Sequence, residues 1–217
     1  MTDYKKIAER FARETASHQM TVLLDQGLYR HIKFTNPERG SFYAFDLITW
    51  PHNLVVRGDG MSFGFSIYPT KDWFDVVRRT AWPGEINPGY WGEKVTAGRG
   101  DVEGFSEDSF ERQVKEHVVE AIRNGSAPRG IGREVTRDIF EWGDITHEAG
   151  ARAELDIFSY EGWRFKDTGE WDFTDYTWQY LWACHAMERG VRQYVKTQHY
   201  GLKLLAAPAP AREAVAA

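Results

Sequence analysis

The chain has 217 residues, 42% of them hydrophobic, with a formal net charge of −5, enough apolar material for a folded core. The acidic balance excludes broad, sequence-blind affinity for nucleic acid or an anionic membrane, although it leaves room for a local basic patch. The single cysteine, Cys184, excludes an intrachain disulfide and a cysteine cage for a metal, and no apolar run reaches the ~20 residues of a membrane span.

Ile7 and Phe11, with Ala8, mark one face of a short N-terminal helix ending before His18. The period then changes. Thr21-Val22-Leu23-Leu24 and Tyr29 to Phe34 read as two strands around Asp25-Gln26-Gly27, the second alternating apolar and polar residues. Phe42 to Trp50 is a third strand, Pro51-His52-Asn53 a turn, and Leu54 to Arg57 a fourth strand. Asp59-Gly60 is a hairpin signal, and Met61 to Ile67 alternates as a fifth strand. Consecutive strands joined by short turns pair antiparallel.

After Pro69 the pattern becomes helical. Lys71 to Arg79 is a short helix with Trp73, Phe74 and Val77 inward, followed by a loop punctuated by Pro83, Gly84, Pro88 and Gly89. Ser106 or Glu107 opens a helix on which Phe110, Val114, Val118, Ala121 and Ile122 recur at helical spacing, with Gly125 just past its end. Arg133 to Phe158 reads as helix broken near Gly143 or Gly150, and Thr174 as the cap of a last helix carrying Trp178, Leu181, Trp182, His185 and Val191. Strands first and helices after predict an α+β fold: an N-terminal antiparallel β-meander of about five strands with C-terminal helices packed on one face. Residues 1–200 are expected to form a single domain and 201–217, rich in Ala and Pro, a flexible tail. The first residues lack a signal-peptide core, and with one cysteine the expected location is the cytoplasm.

Motifs with a known chemistry meet contexts that do not suit them. Gly60-Met61-Ser62-Phe63-Gly64 matches the pattern of a nucleophile elbow, but that elbow needs a strand, a sharp turn and a helix, whereas these residues continue a hairpin strand. Arg57-Gly58-Asp59 reads as the start of a tight turn. Asp144-x-x-His147-Glu148 and His117-x-x-Glu120 set polar groups on one helical face without a second histidine at matched spacing, so no metal is expected. The chain has no Glu-x-Lys tripeptide and neither Walker nor Rossmann glycine pattern, so no nucleotide cofactor cradle is expected. His185 and Cys184, on the apolar side of the last helix, read as core residues.

Aromatic residues make up 15% of the chain, with 9 Trp, and most must be core in a chain of this size. Two turn-rich stretches join aromatics to charge: Trp50 through Asp59, and Ile86 through Lys94. Arg30, Trp50, Arg57, Asp59, Tyr90, Trp91 and Lys94 are therefore the candidate ligand- or partner-binding residues. Bases stack on such rings while Arg or Lys holds phosphate, and the same residue types anchor protein interfaces. The competing reading puts Trp50 and Trp91 over the edge of the core. Asp46, Asp59 and His52 are scattered acid–base candidates for an enzyme, with no convergent set.

At the same stretches the sequence resembles a family of bacteriophage and prophage proteins, including those of actinobacteria. Phe45 through Pro51, Leu54 through Gly60, Phe63 to Ser66, Asn87-Pro88-x-Tyr90-Trp91-x-Glu93-Lys94, and Glu170 through Asp175 running into Trp182-Ala183-Cys184 carry the resemblance. It covers most of residues 20–200 and implies origin, not chemistry. A phage accessory protein of this size and acidity implies a counter-defence factor, anti-CRISPR-like, acting in the host cytoplasm by binding a host defence protein complex or its nucleic-acid groove. A small-ligand or nucleotide-binding sponge is the alternative expectation, and an enzyme acting on nucleic acid a third.

Overall fold

The structure, a computed structural model, describes residues 4–69, 72–81 and 84–199. The chain is α+β and divides into two compact units: Lys5–Val102 with the chain from Trp178 onward, and Glu103–Thr177 with Tyr4. Among the described residues, no helix is long and apolar enough to cross a membrane. Lys71, Pro83 and the segment 201–217 lie outside the described residues.

The first unit is built on a six-stranded sheet whose strands follow chain order, each antiparallel to the next. They are β1 (Gln19–Gln26), β2 (Tyr29–Asn36), β3 (Gly40–Trp50), β4 (Asn53–Gly58), β5 (Met61–Ser66) and β6 (Val95–Ala97). Asp59 and Gly60 both take positive φ, 44° and 82°, the mirror-image turn whose twist suits a two-residue hairpin. The meander is thus as expected, with one strand more. β6 is only three residues long, too short for alternation to announce it.

One face of the sheet carries Ile32, Phe34, Phe45, Leu47, Leu54, Val56, Phe63 and Phe65, all fully buried. Against it pack α1 (Tyr4–Glu14), α2 (Trp73–Thr80) and α7 (Trp178–His199). The ring contacts Phe11–Phe45, Phe45–Trp182 and Phe65–Trp73, at 6.2, 5.7 and 5.6 Å, all fall on this face. Asp72 caps α2 by accepting from the Phe74 N–H at 2.9 Å. Gly190 lets α7 lie close to the sheet, since a Cβ there would sit 2.5 Å from Leu47 Cδ1.

The segment read as an uninterrupted loop holds α3 (Pro88–Gly92), a single turn with Asn87 accepting from the Tyr90 N–H and Pro at its first position. Pro88 and Gly89, taken there as loop punctuation, are the first two residues of a helix instead. Thr174 does not cap the last helix: it belongs to β8 (Thr174–Tyr176), and α7 begins at Trp178.

The second unit pairs β7 (Glu103–Phe105) with β8. Ser106 caps α4 (Glu107–Arg123), and Gly125, at φ 74°, follows its C-cap Asn124. α5 (Ile131–Val135) runs into a π-helical turn at Thr136–Glu141, and α6 (Glu148–Ile157) follows the break expected near Gly143. Phe110, Val114, Val118, Val135, Ile139, Leu155 and Phe173 form this unit's core. Ile122, expected inward, is exposed beyond that stripe.

Candidate functional site

Side chains alternate across a strand, so the residues between the core positions of the first sheet point away from α1, α2 and α7. Register joins them into rows. Leu24 pairs with His31, His31 with Ile48, Ile48 with Val55, Val55 with Gly64, and Gly64 with Ala97, one row running across all six strands. A second row sets Lys33 against Asp46, Asp46 against Arg57 and Arg57 against Ser62. On the other side of the apolar row, Trp50 pairs with Asn53. Trp50 is 39% exposed and Leu24 40%, and Tyr29 is exposed near the same end. The result is an open sheet face with an apolar middle, one indole at one end and charge at the other.

The charge has a defined geometry. The Asp46 carboxylate accepts from His31 Nε2 at 3.0 Å through Oδ1 and from Arg57 Nε at 3.1 Å through Oδ2. Facing a carboxylate, His31 Nε2 is the donor of this bond. Asp46 is largely buried, while the Arg57 side chain is more than half exposed. The carboxylate thus holds the guanidinium at the surface, and the two terminal nitrogens remain for a partner.

The seven residues predicted as a site separate into groups. Trp50 and Arg57 share the open face, divided by the Ile48–Val55 pair. Asp59 stands in the turn beyond Arg57. Arg30 points the other way: NH1 and NH2 each donate to Asp72 at 2.9 Å, and the guanidinium lies 4.7 Å from the Phe74 ring centroid. Its role is to pin the start of α2 to the sheet. Trp91 is fully buried, its indole N–H donating to Thr80 Oγ1 at 2.9 Å. Lys94 pairs with Glu93 and sits 5.1 Å from the Tyr90 ring, and its carbonyl accepts from the Ser66 N–H at the sheet edge. The seven candidates do not gather into one site, because Arg30 and Trp91 are spent on the core.

Sequence reasoning passed over His31, Ile48, Val55 and Leu24. The signal was present: once Ile32, Phe34, Phe45 and Leu47 face the core, period two puts their neighbours outside. Met61 to Gly64 lies in β5 and Gly60 in the turn before it, with Ser62 opposite Arg57 and no elbow. Among the described residues, no three His, Cys, Asp or Glu side chains gather to hold a metal ion.

Comparison with protein-family models, with curated proteins and with solved structures gave no match.

Proposed function

We propose that the protein works by binding a protein partner through the open face of its six-stranded sheet, and that the partner is a host defence effector. One observation carries the binding half: helices pack on one side of this sheet, while the other leaves Trp50 and Leu24 about two-fifths exposed beside Ile48 and Val55. An apolar middle with a Trp anchor, an ordered Arg and a polar rim is the anatomy of a protein interface. Lys33 and Arg57 stand against the one carboxylate Asp46. That balance favours a neutral or acidic patch of the effector over its basic nucleic-acid groove. The counter-defence half rests on the resemblance to phage proteins.

The test has two arms. A targeted phage is plated on hosts carrying defined defence systems, with and without this protein, and the purified protein is titrated against each purified effector complex. Restored plating with one system and direct binding to its effector support the reading. Trp50→Ala with Val55→Glu should then abolish both while leaving the folded state intact. No restoration with any system removes the counter-defence half. Restoration and binding indifferent to the double variant remove the sheet face as the interface.

A further inference from the structure

The second unit contains a cleft of about 880 Å³ between the C-terminal end of α4, the loop after it and the turn at 160–166. That volume is in the range of small-molecule sites. Its walls are held from behind. Tyr160 and Trp163 exchange backbone hydrogen bonds at 3.1 and 2.9 Å, closing a turn in which Glu161 and Gly162 take φ of 48° and 81°. Tyr160 Oη donates to the Arg129 carbonyl, and Arg152 donates to the carbonyls of Thr168 and Trp171. Trp163, His117 and the rings behind them are thus set in place before any ligand arrives.

We infer that this cleft binds a mononucleotide, with the base against Trp163 and His117 and the phosphate on Arg164 and Lys166. His117 is half-buried among the rings of Trp171, Phe165 and Trp163, at 5.0, 5.7 and 6.0 Å. Its ring nitrogens enter no hydrogen bond among the described residues. A half-buried imidazole in an aromatic surround with its polar edge unspent is an acceptor and donor for a planar ligand. Trp163 lines the same wall, and indole faces stack bases of any sequence. Arg164 and Lys166 are exposed on the cleft and enter no ion pair among the described residues. Glu120 and Glu161 also line it. Carboxylates beside cations argue against a simple anion and for a ligand with both amino donors and phosphate oxygens. A nucleotide carries both, amino donors on its planar base and oxygens on the phosphate of its sugar. The cleft lies in one unit and the open sheet face in the other, so this inference does not depend on the function proposed above.

The full chain is titrated by calorimetry with AMP, GMP, CMP and UMP, with adenosine, with inorganic phosphate and with a dT oligomer. At least one mononucleotide should bind with a Kd below ~1 mM. Removing the phosphate, or making Arg164→Glu with Lys166→Glu, should weaken binding by ~10-fold or more. Those two residues are exposed, so the double variant should unfold at the wild-type temperature. Trp163→Leu, which touches the core rings, serves as a second probe, and its melting is followed alongside. Trp50→Ala should leave nucleotide binding unchanged. The inference is overturned by no mononucleotide binding up to ~5 mM, a concentration at which a ~1 mM ligand also raises the melting temperature. It is equally overturned by undiminished binding in the double charge variant, by phosphate binding as well as the nucleotide, or by binding of the oligomer alone.

Discussion

Two buried polar residues show how much of this chain's chemistry is structural. Arg30 is 11% exposed at its side chain and makes a bidentate pair with Asp72, which itself caps α2. Arg30→Ala would leave that carboxylate without its partner and expose Phe74, at a cost of about 3 kcal/mol in urea unfolding. Arg30→Lys keeps the charge without the fork and should recover less than half of the loss. His185 lies on α7, stacked on Phe11 at 5.6 Å, with burial holding its pKa down at about 4 against 6.5 in the unfolded chain. Arg189, one turn on, is itself a half-buried cation with a lowered pKa, and the Glu188 carboxylate between them pairs with Arg192. Between those two values the unfolded state binds the extra proton. The contribution of neutral His185 is therefore complete above pH 6.5 and is lost as pH falls from there towards 4, by about 3 kcal/mol in all. Burial lowers the pKa of His18 in the same direction. His185→Phe should flatten most of the acid limb of a stability–pH profile, and an unaltered limb would assign it to other groups.

Helix α7 meets the sheet at Gly190, and here two effects of opposite sign can be weighed. Alanine in a helix interior is worth about 1 kcal/mol over glycine. The added Cβ would, however, lie 2.5 Å from Leu47 Cδ1 and 3.1 Å from Phe34 Cε2, both on fully buried side chains. Overpacking of that kind costs about 1–3 kcal/mol, so Gly190→Ala should lower the melting temperature by several degrees despite its better helix propensity. Nothing in the sequence marks this glycine, because its partners are more than 140 residues earlier in the chain. What was legible is what short-range chemistry fixes: the alternation of β2 and β5, the Asp59-Gly60 turn, the Ser106 cap and Gly125. What was not legible needed partners distant in sequence. Trp91 has the same composition of neighbours as a binding loop, yet is buried by a bond to Thr80. Arg30 finds Asp72 42 residues on. Thr174 has the residue type of a helix cap and pairs in β8 with Phe105.

The division of roles across the whole molecule can be tested with two tryptophans that the sequence treats alike. Trp91 is fully buried with its N–H satisfied, so Trp91→Ala removes a large apolar volume and the bond that the Thr80 hydroxyl accepts, leaving that hydroxyl only its bond to the Val76 carbonyl, a loss of about 4 kcal/mol. Trp50 lies on the open face, 39% exposed, and its truncation should cost only about 1 kcal/mol. If the sheet face is the working surface, function and stability respond in opposite proportion. Trp50→Ala melts close to wild type and loses its partner, because hot-spot indoles carry a disproportionate share of binding energy. Trp91→Ala melts early, yet at a temperature where it remains folded it binds as wild type does. Partner titration and thermal unfolding of both variants decide the matter. If both lose affinity in step with their melting temperatures, the open face has no function beyond holding β3 and β4 together, and the search for a working surface moves to the cleft at His117 and Trp163.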